Sequence, residues 1–195
     1  MKRITGVLLL FIGGVLITFP FYNEWTQSKE VRALEKALSL IAETDGEAVD
    51  LNAIEHLTLS KAEVENILEL EIPYINLNQL VLDETTDENL NLALTQIKNE
   101  QIPGSGNFTI AGHRGYRDGR HFSNLSKVPV GEKAYLHTKD QTYIYEIISS
   151  EVIEATEVEV LDDHDGKDEL TLITCTVSGK KRVAVKGELI ETITK

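Results

Sequence analysis

Cys175 is the single thiol of the 195-residue chain, and it closes the apolar run Leu170-Thr171-Leu172-Ile173-Thr174-Cys175. A lone thiol in such a run is either a small buried hydrophobe or, where a cation or a base lowers its pKa, a nucleophile. The base has to come from His56, His113, His121, His137 or His164. His113 follows Asn107-Phe108-Thr109-Ile110-Ala111-Gly112, again at the end of a strand-like run, and its small neighbours leave room for a substrate. A histidine in that place is either a proton carrier for acyl transfer or an ordinary structural or surface residue. His121 falls in a cationic loop, His137 inside a hairpin and His164 in the polar turn Asp162 to Asp168, so these three read as surface residues. Arg182 lies past a reversal marked by Ser178-Gly179. If antiparallel strands flank that reversal, Arg182 returns beside Cys175, where a guanidinium could stabilise a thiolate or a developing oxyanion. In the alternative, Lys180, Lys181 and Arg182 are three solvated cations.

Other chemistry is excluded by spacing and composition. Gly104-Ser105-Gly106 is followed by Thr109 where a dinucleotide loop needs a further glycine. The Asp162 to Asp168 stretch lacks the glycine and terminal glutamate offsets of an EF-hand, and no Cys/His set has zinc-finger spacing. One cysteine cannot form an internal disulfide. Asp and Glu number 32 against 19 Lys and Arg, a formal net charge of −13. Such a surface repels phosphate and argues against general nucleic-acid binding. At 42% hydrophobic and 26% charged residues the composition is that of a globular chain.

The elements that must position Cys175, His113 and Arg182 are mostly short strands. From Leu68 the apolar period is two: Leu68, Leu70 and Ile72 alternate with Glu69 and Glu71, and a second strand carries Ile75, Leu77, Leu80 and Leu82. Leu90, Leu94 and Ile97 predict a short helix over Thr86 to Ile97. Asn107 to Gly112 is a strand, and Arg114 to Arg120 a polar loop. Lys133 to His137 and Tyr143 to Ile148 form a hairpin around Lys139-Asp140. Val152, Val158 and Val160 are further strand positions, followed by Leu170 to Cys175 and Arg182 to Ile190. Many short strands with few helices predict a mainly β barrel or sandwich.

The N-terminal quarter differs. Lys2 and Arg3 precede a charge-free run from Ile4 to Tyr22, close to the roughly 20 residues that cross a bilayer as a helix. Phe19, Phe21, Tyr22 and Trp25 gather at its far end like an aromatic belt, and the two cations keep the N-terminus cytoplasmic. A cleaved signal peptide would need small residues after the run, and Phe19-Pro20-Phe21-Tyr22-Asn23-Glu24-Trp25 offers none. The expected organisation is therefore a cytoplasmic tip (1–3), a signal anchor (4–22), a helical stalk and linker (23–63) and an extracytoplasmic β domain (64–195). Val31, Leu34, Leu38 and Ile41 give the stalk a helical stripe, and Ser60-Lys61-Ala62-Glu63 has capping-box spacing ahead of a short helix.

With these residues together the sequence resembles the sortases. Ile110-Ala111-Gly112-His113, Leu170-Thr171-Leu172-Ile173-Thr174-Cys175 and Arg182 occur in the family's order behind an N-terminal anchor, and His121-Phe122-Ser123-Asn124-Leu125 is similar to the stretch that follows the family's catalytic histidine. The resemblance covers about Ile67 to Glu191. It implies a closed eight-stranded sortase β-barrel with short helices, on a single-pass membrane protein of Gram-positive bacteria. It implies a transpeptidase that cleaves a C-terminal sorting signal of Leu-Pro-x-Thr-Gly type through a thioacyl intermediate on Cys175. The acyl group then passes to the amine of a lipid-linked peptidoglycan precursor. By the same carry-over His113 is the general acid/base, Arg182 the substrate and oxyanion ligand, and Ala111, Ile173 and Thr174 line the substrate.

No cofactor is implied for this acyl transfer. Calcium activates some class A members, and Glu151, Glu154, Glu157 and Glu159 precede the cysteine strand, but they form no clear site and read as a solvated acidic face. The N-terminal anchor and Asp168-Glu169-Leu170 before the cysteine strand are similar to class A. Pro20, Pro73, Pro103 and Pro129 are never preceded by Asp, so the Asp-Pro-aromatic lid of pilus-polymerising class C enzymes is missing. The short connection from Cys175 to Arg182 and the cationic stretch after His113 leave class D or another accessory type, with a different sorting signal, as the alternative. An extracytoplasmic cysteine hydrolase of the cell wall and a non-catalytic, membrane-tethered assembly module are the competing functions.

Overall fold

Alternating apolar residues want one face of a sheet buried, and a sheet that curls until its edges meet leaves no edge unpaired. In the computed structural model, which describes residues 2–43, 51, 54–57, 59–115 and 120–195, eight strands do this. They are β1 (Leu68–Ile72), β2 (Leu77–Leu82), β3 (Leu94–Gln96), β4 (Asn107–Ala111), β5 (Lys133–His137), β6 (Gln141–Glu154), β7 (Glu169–Cys175) and β8 (Lys181–Thr194). They close in the order β1-β2-β3-β4-β7-β8-β6-β5. The β2–β3 and β4–β7 pairs are parallel and the other pairs antiparallel.

Period-two patterning puts Leu70 and Ile72, Phe108 and Ile110, Leu136, Leu170 and Leu172, and Val183 and Val185 inside, all at most 6% exposed. These side chains form one continuous core. Burying each such side chain contributes roughly 1.5–3 kcal/mol, so the barrel is a stiff frame for whatever its outer face presents.

The strand predictions hold for Leu68–Ile72, for the second strand from Leu77 (Ile75 lies instead in a 3₁₀ turn, Pro73–Ile75), for Asn107 onward, for the hairpin and for the pair ending in Cys175 and beginning at Arg182. Two expectations fail. The helix predicted over Thr86–Ile97 is only α3 (Asp87–Leu92), capped at Thr86, whose hydroxyl accepts from Asn89 N. Ala93 is extended, and Leu94–Gln96 then pairs with β2 and β4. The apolar spacing of Leu90, Leu94 and Ile97 suits a helix, but the two barrel neighbours supply more hydrogen bonds than another helical turn would. Val158 and Val160 lie in a 3₁₀ turn, Val158–Leu161, rather than a strand, while Val152 belongs to the long β6.

The chain divides into two compact units, Met1–Val64 and Glu65–Lys195. In the first, anchor and stalk segments form one continuous helix, α1 (Lys2–Glu43). Leu34 of the expected stripe is buried together with Ala33 and Ala37. At its middle the Lys29 ammonium sits 3.6 Å from the centre of the Trp25 ring, and Trp25 lies beside Tyr22. Among the described residues no helix is long and apolar enough to cross a membrane. The anchor expected over 4–22 falls partly outside them, since the side chains of 4–9, 16, 17, 20 and 21 are not described, and the linker at 44–50 lies outside them too. The helix expected after Ser60 is α2 (Lys61–Glu65), and its capping box is formed: Ser60 N donates to Glu63 Oε2 at 2.7 Å and Glu63 N to Ser60 Oγ at 3.4 Å.

Candidate active site

Strand parity decides what the outer face of the barrel carries. In β7 Leu170, Leu172 and Thr174 point inward, so Ile173 and Cys175 point outward, and both are half-buried. In β8 Val183 and Val185 point inward, so Arg182, Ala184 and Lys186 share the outer face. In β4 Phe108 and Ile110 point inward, leaving Thr109 and Ala111 outside.

Register then brings these positions together. Cys175 pairs directly with Arg182 and Ile173 with Ala184 across β7 and β8. Ala111 pairs with Ile173 across the parallel β4 and β7. One residue further, Gly112 N donates to Ile173 O at 3.1 Å and the Thr174 hydroxyl donates to Gly112 O at 2.8 Å. His113 leaves this junction as an exposed residue next to the strand end that carries Cys175. Gly112 permits the junction, because a Cβ there would collide with Leu94 and Phe122 in the core.

The candidate substrate residues separate. Ala111 and Ile173 sit half-buried on the outer face beside Cys175. Thr174 instead faces inward, is 3% exposed and spends its hydroxyl on Gly112 O, so it ties β7 to β4. Cys175 is a free, partly accessible thiol. The Arg182 guanidinium donates through one nitrogen to Gly179 O at 3.1 Å and Lys181 O at 3.2 Å, which holds it against the β7–β8 turn. Thiol, imidazole and guanidinium thus come from three adjacent strands at one end of the barrel. That set can form a covalent acyl intermediate, carry a proton and receive an oxyanion.

Beside this cluster, on the same face of β6 and β8, runs a groove of about 380 Å³ lined by Ile153, Val160, Ala184, Lys186 and the carboxylates of Glu151, Glu157 and Glu159. Its far wall is the segment around Val158–Leu161, and that segment is pinned. Lys98 donates to Leu161 O at 3.1 Å and Asp163 Oδ1 at 2.7 Å, while Asn107 Nδ2 donates to Val160 O and Asp162 O at 3.1 Å each. Asn107 N donates to the same Asp163 oxygen at 2.8 Å. The Lys98 hydrogen bond and then the Asn107 amide hold the Asp163 carboxyl below its usual range. Among the described residues no group of three or more His, Cys, Asp or Glu side chains is placed to hold a metal ion.

His121, read from the sequence as a surface residue, is buried at 5% exposure, with its ring edge-on to His113 and 6.4 Å from it. Burial, followed by the positive charges of Arg120 and His113, pushes it down to about 4. The sequence signal was the Phe122 beside it, an apolar residue in an otherwise cationic loop. Phe122 is fully buried and its N–H returns to His113 O at 3.0 Å, which carries His121 under with it. Of the loop between, 116–119 lie outside the described residues.

Comparison with known proteins identifies the family. The sortase domain family matches residues 70–190. The chain is 34% identical to sortase A of Bacillus anthracis, over 97% of this chain and 94% of that relative. Among solved structures, Listeria monocytogenes sortase A superposes with a TM-score of 0.63 at 32% identity, covering 67% of this chain and 91% of that one. A Clostridium perfringens sortase D5 transpeptidase superposes with a TM-score of 0.64 at 28% identity, covering 82% and 99%. The chain belongs to the sortase family and is a sortase A-like cysteine transpeptidase.

Proposed function

We propose that the chain cleaves a C-terminal sorting signal of Leu-Pro-x-Thr-Gly type and transfers the protein bearing it to the amine of a lipid-linked peptidoglycan precursor. The observation that carries this reading is the register that sets Cys175 opposite Arg182 while parallel β4 delivers His113 to the same strand end. Cys175 Sγ attacks the scissile carbonyl, and Arg182 receives the negative charge that develops on its oxygen. The C–N bond breaks as His113 gives its proton to the leaving amine, which leaves a thioester on Cys175. The incoming amine attacks the thioester, His113 takes a proton from it, and the C–S bond breaks to return the thiolate. Two easier steps replace one difficult amide exchange.

Ala111 and Ile173 form the floor under the peptide, and the groove along Ile153 and Val160 is the adjoining surface that distinguishes one signal from another. The reaction requires no cofactor in this scheme, and calcium stimulation is tested by comparing turnover in Ca²⁺ and in chelator. The anchor over 4–22 places the catalytic unit outside the membrane. The Tyr22, Trp25 and Lys29 cluster beyond the apolar run suits an interface, where aromatic rings and cations gather. A second reading, an accessory class with another signal, draws on the equal superposition of the sortase D5 structure.

The test is mass spectrometry of the full chain in detergent with a Leu-Pro-x-Thr-Gly peptide and an amine. A peptide thioester on Cys175 and an amine-linked product are expected, and Cys175→Ala should give neither. Release of the acid alone, with no gain from added amine, would make the protein a hydrolase. Inactivity on that peptide with turnover of variant signals would select the accessory class.

A further inference from the structure

We propose that His121 is a positioning residue for His113: its buried ring, packed against the His113 imidazole, limits the orientations that imidazole can adopt. The inference rests on His113 serving as the acid/base of the transfer, and it names a residue that the three-residue chemistry leaves unused.

Several features of the fold build the pair. The rings stand nearly perpendicular, 85° apart, with centres 6.4 Å from each other. Their backbones are fixed together by the Phe122 N to His113 O bond, and Phe122 is sealed in the core. His121 adopts a left-handed φ of 47°, uncommon for a residue with a side chain, and the surrounding contacts hold it there. Arg120 Nε donates to His121 Nε2 at 3.3 Å, so Nε2 is the acceptor and the ring proton sits on Nδ1. His121 Nδ1 is buried with no hydrogen-bond partner among the described residues. A buried, unsatisfied donor in a strained backbone is costly to keep, and here it lies against the imidazole that does the proton transfer.

The charged and titratable groups that bear on His121 are Arg120 and His113, and both oppose a second positive charge, as does burial. His121 is therefore held neutral well below the usual histidine range. A buried ring packed perpendicular to it limits the orientations His113 can adopt.

The experiment follows the histidine ring resonances of the full chain in detergent by NMR against pH, and the pH profile of transpeptidation, in wild type, His121→Leu, His121→Phe and Arg120→Met. In wild type, His121 is expected to stay silent down to about pH 5. In His121→Leu the His113 ring resonances should move, because the buried ring no longer packs against them. That variant should lose about three- to tenfold in kcat at unchanged KM for the peptide, and His121→Phe, which restores a ring, should recover most of the loss. In Arg120→Met, His121 should titrate at higher pH, because one of the positive charges that lower it is gone. Wild-type kcat in His121→Leu, or a His121→Phe variant no faster than His121→Leu, overturns the proposal. Because the resonances need no turnover, a His113 ring that shifts in His121→Leu in a protein with no transfer activity sinks the proposed function alone, and an unshifted His113 ring in an active enzyme sinks the positioning role alone.

Discussion

Replacing the Thr174 hydroxyl by a methyl isolates the tie that brings the two catalytic strand ends together. Thr174 is 3% exposed and its hydroxyl donates to Gly112 O at 2.8 Å. Thr174→Val keeps the volume and removes the donor. Gly112 O is left in a buried residue without that bond, at a cost of about 1–3 kcal/mol, and the added apolar burial returns somewhat less than about 0.8 kcal/mol. A net loss of about 1–2 kcal/mol should lower Tm by about 3–6 °C for a unit of this size. The effect on rate should exceed the effect on stability, because the residues either side of the bond lead to His113 and Cys175. A small misplacement of two reacting groups is worth about tenfold or more in kcat. Thr174→Ser, which keeps the donor and loses a methyl, is the control: it should cost comparable stability yet retain most of kcat. Thermal unfolding and single-turnover acylation of a fluorogenic sorting peptide supply both numbers. If Val acylates as fast as wild type, or Ser is the slower of the two, the hydroxyl does not align the site and the reasoning fails.

The pinned wall of the groove and the buried histidine give two more outcomes. Lys98→Met removes an ion pair whose partners are 35% and 66% exposed, so stability should fall by less than about 1 kcal/mol. KM for the peptide should rise instead as the Val158–Leu161 segment loosens, and high salt should mimic the change in wild type; a Tm loss with unchanged KM would contradict this. His121 is pushed from 6.5 down to about 4 in the fold, so between those values the unfolded chain binds the extra proton. The stability linked to neutral His121 is present above pH 6.5 and is lost as pH falls toward 4, by an amount of up to about 3 kcal/mol. Denaturant titrations of wild type and His121→Phe across that window should show a shallower acid slope in the variant.

Much of the site was legible in the residues themselves. A lone cysteine and a histidine each ending an apolar run, and an arginine past a Ser-Gly reversal, are local facts, and local hydrogen bonding makes them hold: the β7–β8 turn returns Arg182 to Cys175 because antiparallel register is set by its own connection. The Ser60 capping box and the period-two strands were readable for the same reason. What the sequence could not decide is non-local. Residues 94–96 became a strand because β2 and β4 stood either side of them. Thr174 turned inward, and His121 went under His113, because barrel closure fixes which face each residue shows and Phe122 had a core to fill. The parallel pairing of β4 with β7 joins residues more than sixty positions apart, and only the closed barrel, with every strand edge paired, makes those two ends neighbours.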